Sequence, residues 1–229
     1  MNPQQNPQHS QAKIIYLASK SPRRRELLKQ IGVHFELLMM REIQQMQQTQ
    51  QTLADASGRE ANLIIDVDES PGDGELPRQY VERVVRIKAD TALRIMRSRK
   101  LAPRPILTAD TTVAISDEIL GKPTDAADAM RILKRLSGET HQVMTAIAVT
   151  AHGETDYAFS TSLVSFATLS DAEIKRYIET GEPMDKAGAY GIQGHAAKFI
   201  SNISGSYSGV MGLPLFETAE LLRKAGLTV

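Results

Sequence analysis

Two serines and three arginines fall within seven residues near the start of the chain, at Ser19, Ser21, Arg23, Arg24 and Arg25. They follow a short apolar run, residues 14–18, and Pro22 stands among them, a residue suited to the first position of a helix. A strand that turns and opens a helix in this way aims backbone N–H groups outward at the positive end of the helix dipole, and the side chains add donors and charge. This is the chemistry of an anion site, phosphate above all. An ordinary capped helix with a solvated arginine face satisfies the same spacing. Farther on, Asp110 lies between the apolar runs Ile106, Leu107, Thr108, Ala109 and Val113, Ala114, Ile115. A carboxylate in such a run is ion-paired, bound to a metal or held for function, because burying it alone is costly. Asp110 is therefore the best single candidate for a catalytic group. Lys88 and Lys122 are further cations to watch, although spacing alone reads the first as a surface lysine on an amphipathic helix and the second as part of an ordinary Gly121, Lys122, Pro123 turn. Residues 185–194 are rich in glycine, which allows tight turns and close approach of backbone to a ligand.

The elements that must carry these residues are legible as an α/β pattern. The run at 14–18 reads as a strand, Glu26, Leu27, Leu28 and Ile31 as a short helix stopped by Gly32, and 33–38 as a second extended run. Residues 39–62 are different: Gln44, Gln45, Gln47, Gln48, Gln50 and Gln51 crowd a polar stretch with few core-forming residues, either a solvated helix or a disordered loop. Apolar character returns at 63–65 and leads to Val67, Asp68 and Glu69. Helical spacing is expected over 80–96, a short buried strand over 106–109 with Asp110 where it emerges, a helix over 125–136 and a strand over 141–150. A strand over 159–168 follows across a turn at His152 and Gly153, then a capped helix from Ser170, a strand over 199–203 and a last helix over 215–224.

Composition narrows the function. The chain has 229 residues, 41% of them hydrophobic, enough for a buried core. Lys plus Arg and Asp plus Glu balance at 27 each, which argues against non-specific binding to nucleic acid or a membrane surface. The absence of cysteine excludes disulfides, thiolate nucleophiles and cysteine zinc sites. No apolar run is long enough to cross a bilayer, and residues 1–12, rich in Gln, Asn and Pro, read as a disordered tail and not a signal peptide. A cytoplasmic protein is expected. The five histidines, His9, His34, His141, His152 and His195, lack metal-ligand spacing, and there is no Walker lysine motif, dinucleotide glycine fingerprint or serine nucleophile elbow.

The stretch Leu17, Ala18, Ser19, Lys20, Ser21, Pro22, Arg23, Arg24, Arg25, Glu26, Leu27, Leu28 resembles the opening signature of the Maf family of nucleotide pyrophosphatases. Three more elements match in the family's order: Ala109, Asp110, Thr111; Gly121, Lys122, Pro123; and residues 186–194 with the close at 210–215. The resemblance runs over residues 14–225, with 39–62 as an insertion, so that residues 13–229 form one pyrophosphatase domain. It implies a mixed sheet with two lobes flanking a central nucleotide-binding cleft. It also implies hydrolysis of a nucleoside triphosphate to the monophosphate and pyrophosphate, with Asp110 as general base or metal ligand. Ser19, Ser21, Arg24, Lys88 and Lys122 would hold the phosphates. Ile87 stands where the family often has Glu before the lysine. Glu69 is implied as a second acid for a divalent cation, Mg²⁺ or Mn²⁺. The subgroup resembled most acts on dTTP and UTP, with specificity positions that fall here on Arg23, Thr111 and Gln193; Arg25 is expected to be a solvated helix charge. A carboxamide such as Gln193 complements the N3–H donor and O4 acceptor of uracil or thymine. Modified pyrimidines that keep this edge fit equally. The family is often dimeric, so a homodimer is expected. A second reading makes the chain a nucleotide-binding regulator of cell division without catalysis, though neither Asp110 nor the phosphate-binding cations are missing.

Overall fold

The computed structural model describes residues 14–39, 41–42, 66–67 and 69–229. The chain opens as a βαβ unit of β1 (Ile15–Leu17), α1 (Pro22–Gln30) and β2 (Phe35–Leu37), the two strands parallel. Ser21 caps α1, Pro22 takes its first position, and Leu27 and Leu28 form its buried face. A parallel pair, β3 (Arg41–Glu42) with β4 (Asp66–Val67), follows. The expected tail at 1–12, the apolar stretch at 63–65 and all of the expected insertion except 39 and 41–42 lie outside the described residues.

Next come α2 (Pro77–Ser98), β5 (Ile106–Ile115), β6 (Glu118–Leu120), α3 (Ala126–Leu136), β7 (Thr140–Ala151), β8 (Glu154–Phe166) and α4 (Asp171–Ile178). Three 3₁₀ turns at Glu182–Asp185, Ala187–Ala189 and His195–Phe199 lead to β9 (Ile200–Ser204), α5 (Tyr207–Val210) and α6 (Leu215–Lys224). The main sheet has the order β2-β1-β5-β7-β8-β9, with β6 also paired to β5, and mixes parallel and antiparallel neighbours as expected. No described helix is long and apolar enough to cross a membrane.

Two expectations need correction. Asp110 does not emerge at the end of a short strand; it sits in the middle of a ten-residue one, because Thr111 and Thr112 continue the ladder with Thr145 and Met144. The strand expected at 159–168 begins at Glu154, since His152 and Gly153, both at positive φ, make the whole turn and Thr155 already faces Thr150.

Side chains alternate across a sheet, so the register assigns each to a face. On one face, Leu107, Ala109, Ile147 and Val149 pack with Leu27, Leu28, Leu221 and Leu222 of α1 and α6. Farther along that face, Val113, Ile115, Val143, Val164 and Phe166 pack with Ile132, Leu133 and Leu136 of α3 and Ile174 and Tyr177 of α4. Between these two apolar groups runs one polar row, Thr111, Thr145 and Ser160, in register across β5, β7 and β8. These are the two lobes, built along the same strands and parted where the sequence of each strand turns polar. The opposite face carries α2, whose Val81, Val85 and Ala89 lie on Met144, Ala146 and Ala148.

Parallel β1 ends on Leu107, and β6 joins the same edge of β5 only at Val113. Among the described residues, β5 is thus without a neighbouring strand on that edge from Thr108 to Thr112. This gap lies beyond the carboxyl end of β1, the location where open α/β sheets bind ligands.

Candidate active site

The turn after β1 stands at the gap. Ser19 Oγ accepts from the Ser21 N–H at 3.2 Å and from Arg24 Nη1 at 3.2 Å, and Ser21 Oγ accepts from the Arg24 N–H at 3.5 Å. Both lone pairs of Ser19 are engaged inward, which leaves its proton free to point at a ligand. Arg24 is held at three points, with Nε donating to the Gly212 carbonyl at 2.7 Å and Nη2 to Thr111 Oγ1 at 3.2 Å. Gly212 lies at φ +110, a backbone conformation that favours glycine, and a Cβ there would be in ordinary contact with Thr111 Oγ1 and Arg24 Nε, at 3.4 and 3.5 Å. Burial lowers the pKa of the Arg24 guanidinium from its usual value, while the charge of Asp110 opposes that shift.

On the other face of β5, Asp110 is 6% exposed. Its Oδ1 accepts from Lys88 Nζ at 2.7 Å, and Glu69 Oε1 lies 2.8 Å from the same nitrogen. Lys88 reaches them from α2, whose apolar stripe lies on Met144, Ala146 and Ala148 of β7 and on Ile106 of β5. Burial alone would depress the Lys88 ammonium, but Asp110 and Glu69 outweigh it and raise its pKa above the usual lysine value. Glu69 is fixed from α2 as well: Tyr80 Oη donates to the Glu69 carbonyl at 2.9 Å, and Arg83 Nη2 donates to the Ser70 carbonyl at 2.9 Å while its fork grips Glu75. The pKa of Tyr80 is raised by burial and by the charges of Asp110 and Glu69.

Asp110 Oδ2 is buried and has no hydrogen-bond partner among the described residues. An unpartnered carboxylate oxygen beside a second carboxylate is what a water to be deprotonated, or a hard cation, requires. Among the described residues no three His, Asp or Glu side chains are grouped so as to hold a metal ion by themselves. A divalent ion here would have Glu69 and Asp110 as protein ligands, its remaining positions left to water and phosphate oxygens. Mg²⁺ accepts that composition readily.

The expected site residues fall into two groups. Ser19, Ser21, Arg24, Thr111, Lys88, Glu69 and Asp110 converge around the gap through the contacts above. Arg23, Lys122 and Gln193 make no hydrogen bond or ion pair with them among the described residues. Lys122 and Gln193 are exposed, and Arg23 is half-buried within the field of Asp185. Their segments are nevertheless joined: the Gly188 N–H donates to the Gly121 carbonyl at 3.1 Å, and Gly188, at φ +70, rests on Val113 of β5 so closely that a Cβ would stand 2.8 Å from that side chain. Arg25 departs from the solvated charge expected, being half-buried with its Nε enclosed and unpartnered. Sequence reasoning missed Tyr80, Thr145 and Gly212. Only Gly212 had a local signal, standing in the glycine-containing close at 209–214.

The family model described as Maf-like protein matches residues 14–225. A dTTP/UTP pyrophosphatase of Ralstonia nicotianae is 54% identical over 216 residues, 94% of this chain and 95% of that one. The dTTP/UTP pyrophosphatase of Dechloromonas aromatica is 50% identical over 212 residues, 93% and 97% of the two chains, and that of Nitrosomonas europaea 49% over 215, 94% and 96%. A match that spans both lobes, the opening turn, β5 and the glycine-rich segment leaves one assignment: the chain belongs to the family of Maf-like proteins.

Proposed function

We propose that this protein is a nucleoside triphosphate pyrophosphatase that hydrolyses dTTP and UTP to the monophosphate and pyrophosphate. The observation that carries the reading is the buried Asp110, one oxygen held by Lys88 and the other without a partner among the described residues, with the Ser- and Arg-rich capped start of α1 in support. The names of the relatives supply the nucleotide.

In this reading a water attacks the α-phosphorus, its proton passes to Asp110 Oδ2, and the bond between the α-phosphorus and the bridging oxygen breaks to release pyrophosphate. Lys88 orients the carboxylate through Oδ1, so that Oδ2 faces the water. Ser19 and Ser21 donate hydroxyl protons to phosphate oxygens, and Arg24, Lys88 and Lys122 offset the charge that builds on the leaving group. A divalent cation, Mg²⁺ or Mn²⁺, held by Glu69 and Asp110, would supply further neutralisation of the triphosphate. Arg23, Thr111 and Gln193 select the base, the carboxamide of Gln193 matching the N3–H and O4 of uracil or thymine. The enzyme would serve as a house-cleaning activity on free nucleotides in the cytoplasm, as a homodimer.

The test is pyrophosphate release from dTTP, UTP, dCTP, dATP and dGTP with Mg²⁺ or Mn²⁺, with and without chelator. Release from dTTP and UTP that falls by about 10²-fold or more in Asp110→Asn is expected. Nucleotide binding with no release from any member of the panel would move the protein to the regulatory reading.

A further inference from the structure

A closed ring of hydrogen bonds lies beneath the opening turn. Arg24 donates to Thr111 Oγ1 (3.2 Å) and to the Gly212 carbonyl (2.7 Å), the Thr111 and Thr145 hydroxyls are 3.0 Å apart, and Thr145 Oγ1 donates to the Gly209 carbonyl at 2.8 Å. The Gly212 N–H donates to that same carbonyl at 2.9 Å and completes the circuit. Four separate segments meet in it: α1, β5, β7 and the 209–212 close.

The chemistry of the groups sets the direction of every bond. A carbonyl oxygen only accepts, so the single hydroxyl proton of Thr145 lies toward Gly209. Thr145 can then only accept from Thr111, and Thr111 must donate. A guanidinium only donates, so Thr111 also accepts from Arg24. Thr111 is left with one lone pair and no proton to offer the cleft. Thr145 itself is fully buried. Its hydroxyl is not needed to satisfy Gly209, whose carbonyl already has the Gly212 N–H.

We infer that Thr145 is a positioning residue for base selection: by taking the Thr111 proton it makes Thr111 an acceptor-only group toward the substrate. Such a group can share with the Gln193 carboxamide oxygen the one N–H that uracil and thymine present at N3, and it repels cytosine, which presents a lone pair there. The inference rests on the proposed dTTP and UTP hydrolysis. Without Thr145 as acceptor, the Thr111 proton turns to the cleft and the preference is lost.

The experiment measures kcat/KM of the full chain with dTTP, UTP, dCTP and CTP in Mg²⁺. Thr145→Val, close in volume, should lower the dTTP-to-dCTP ratio about tenfold, the weight of one hydrogen bond. Thr145→Ser should restore it. In a Thr111→Val background, Thr145→Val should change the ratio less than about twofold, since the two residues act as one unit. A folded Thr145→Val with an unchanged ratio, or one that loses rate equally on all four nucleotides, overturns the role given to Thr145. Should Thr145→Val not fold, Thr145→Ala is read the same way; if neither folds, Thr145 is a structural residue and the inference fails. A wild-type protein inactive on dTTP and UTP instead overturns the functional reading itself.

Discussion

Replacing Lys88 with Met would remove the one cation that two carboxylates share. The ammonium lies 2.7 Å from Asp110 and 2.8 Å from Glu69, with 12% of its side chain exposed. At an effective dielectric of about 20, each contact is worth about 6 kcal/mol before desolvation. Much of this is offset by burying the ammonium, yet removing one member of a buried cluster typically costs about 3–5 kcal/mol because the others are left uncompensated. Glu69 keeps 30% of its side chain exposed and can turn to water, so the lower end, about 3 kcal/mol, is expected. Met keeps the apolar stem and opens no large cavity, which isolates the charge effect. For a chain of this size the loss corresponds to a fall in Tm of about 6–12 °C, read by circular dichroism at pH 7. Adding Asp110→Asn to Lys88→Met removes the like-charge pair and should return about 1 kcal/mol or more. The pH dependence has a definite sign. The folded-state pKa of Lys88 is raised, so its contribution is complete below the unfolded lysine pKa of about 10.4 and is lost as pH rises through the folded value. The gap between wild type and variant should therefore stay level from pH 7 to 10 and close above that. A Lys88→Met protein as stable as wild type at pH 7 would refute the reasoning.

Arg24→Lys should lower kcat/KM for dTTP by about 10²-fold, because a point ammonium cannot hold Gly212, Ser19 and Thr111 together; a loss under threefold in steady-state pyrophosphate release would count against the anchoring role. Gly188→Ala combines a φ of +70 with a Cβ pressed on Val113 and should cost about 1–3 kcal/mol and raise KM as the glycine-rich segment lifts; an unchanged Tm argues that the segment is loosely seated. His141, 1% exposed on β7 and 2.8 Å from Tyr190 Oη, has its pKa lowered to about 4 by burial. The unfolded chain takes up that proton first, so stability should fall by about 3 kcal/mol as pH drops from 6.5 to 4, and His141→Gln should flatten this slope in urea titrations. An identical slope in the variant would assign the acid sensitivity elsewhere.

The capped turn that opens α1 was readable from the order of residues because its parts are local. Ser19, Ser21, Pro22 and Arg24 interact within six positions, and helix capping depends on near neighbours and a fixed backbone geometry. Asp110 was readable for a different reason: a carboxylate within an apolar strand is an energetic anomaly wherever the strand ends up. The two lobes were also written into the strands, since β5, β7 and β8 each turn from apolar to polar and back at Thr111, Thr145 and Ser160. Alternation along one strand shows which residues share a face, but not which strand lies alongside. That Thr111 meets Thr145, and that Lys88 stands between Glu69 and Asp110 across 19 and 22 positions of sequence, depends on strand register and on how α2 lies across the sheet. Such long-range pairings are set by the packing of whole apolar faces, so no local pattern announces them. Sequence therefore determined the chemical groups, and tertiary structure decided which carboxylate oxygen stays unpartnered and which hydroxyl keeps no proton to give.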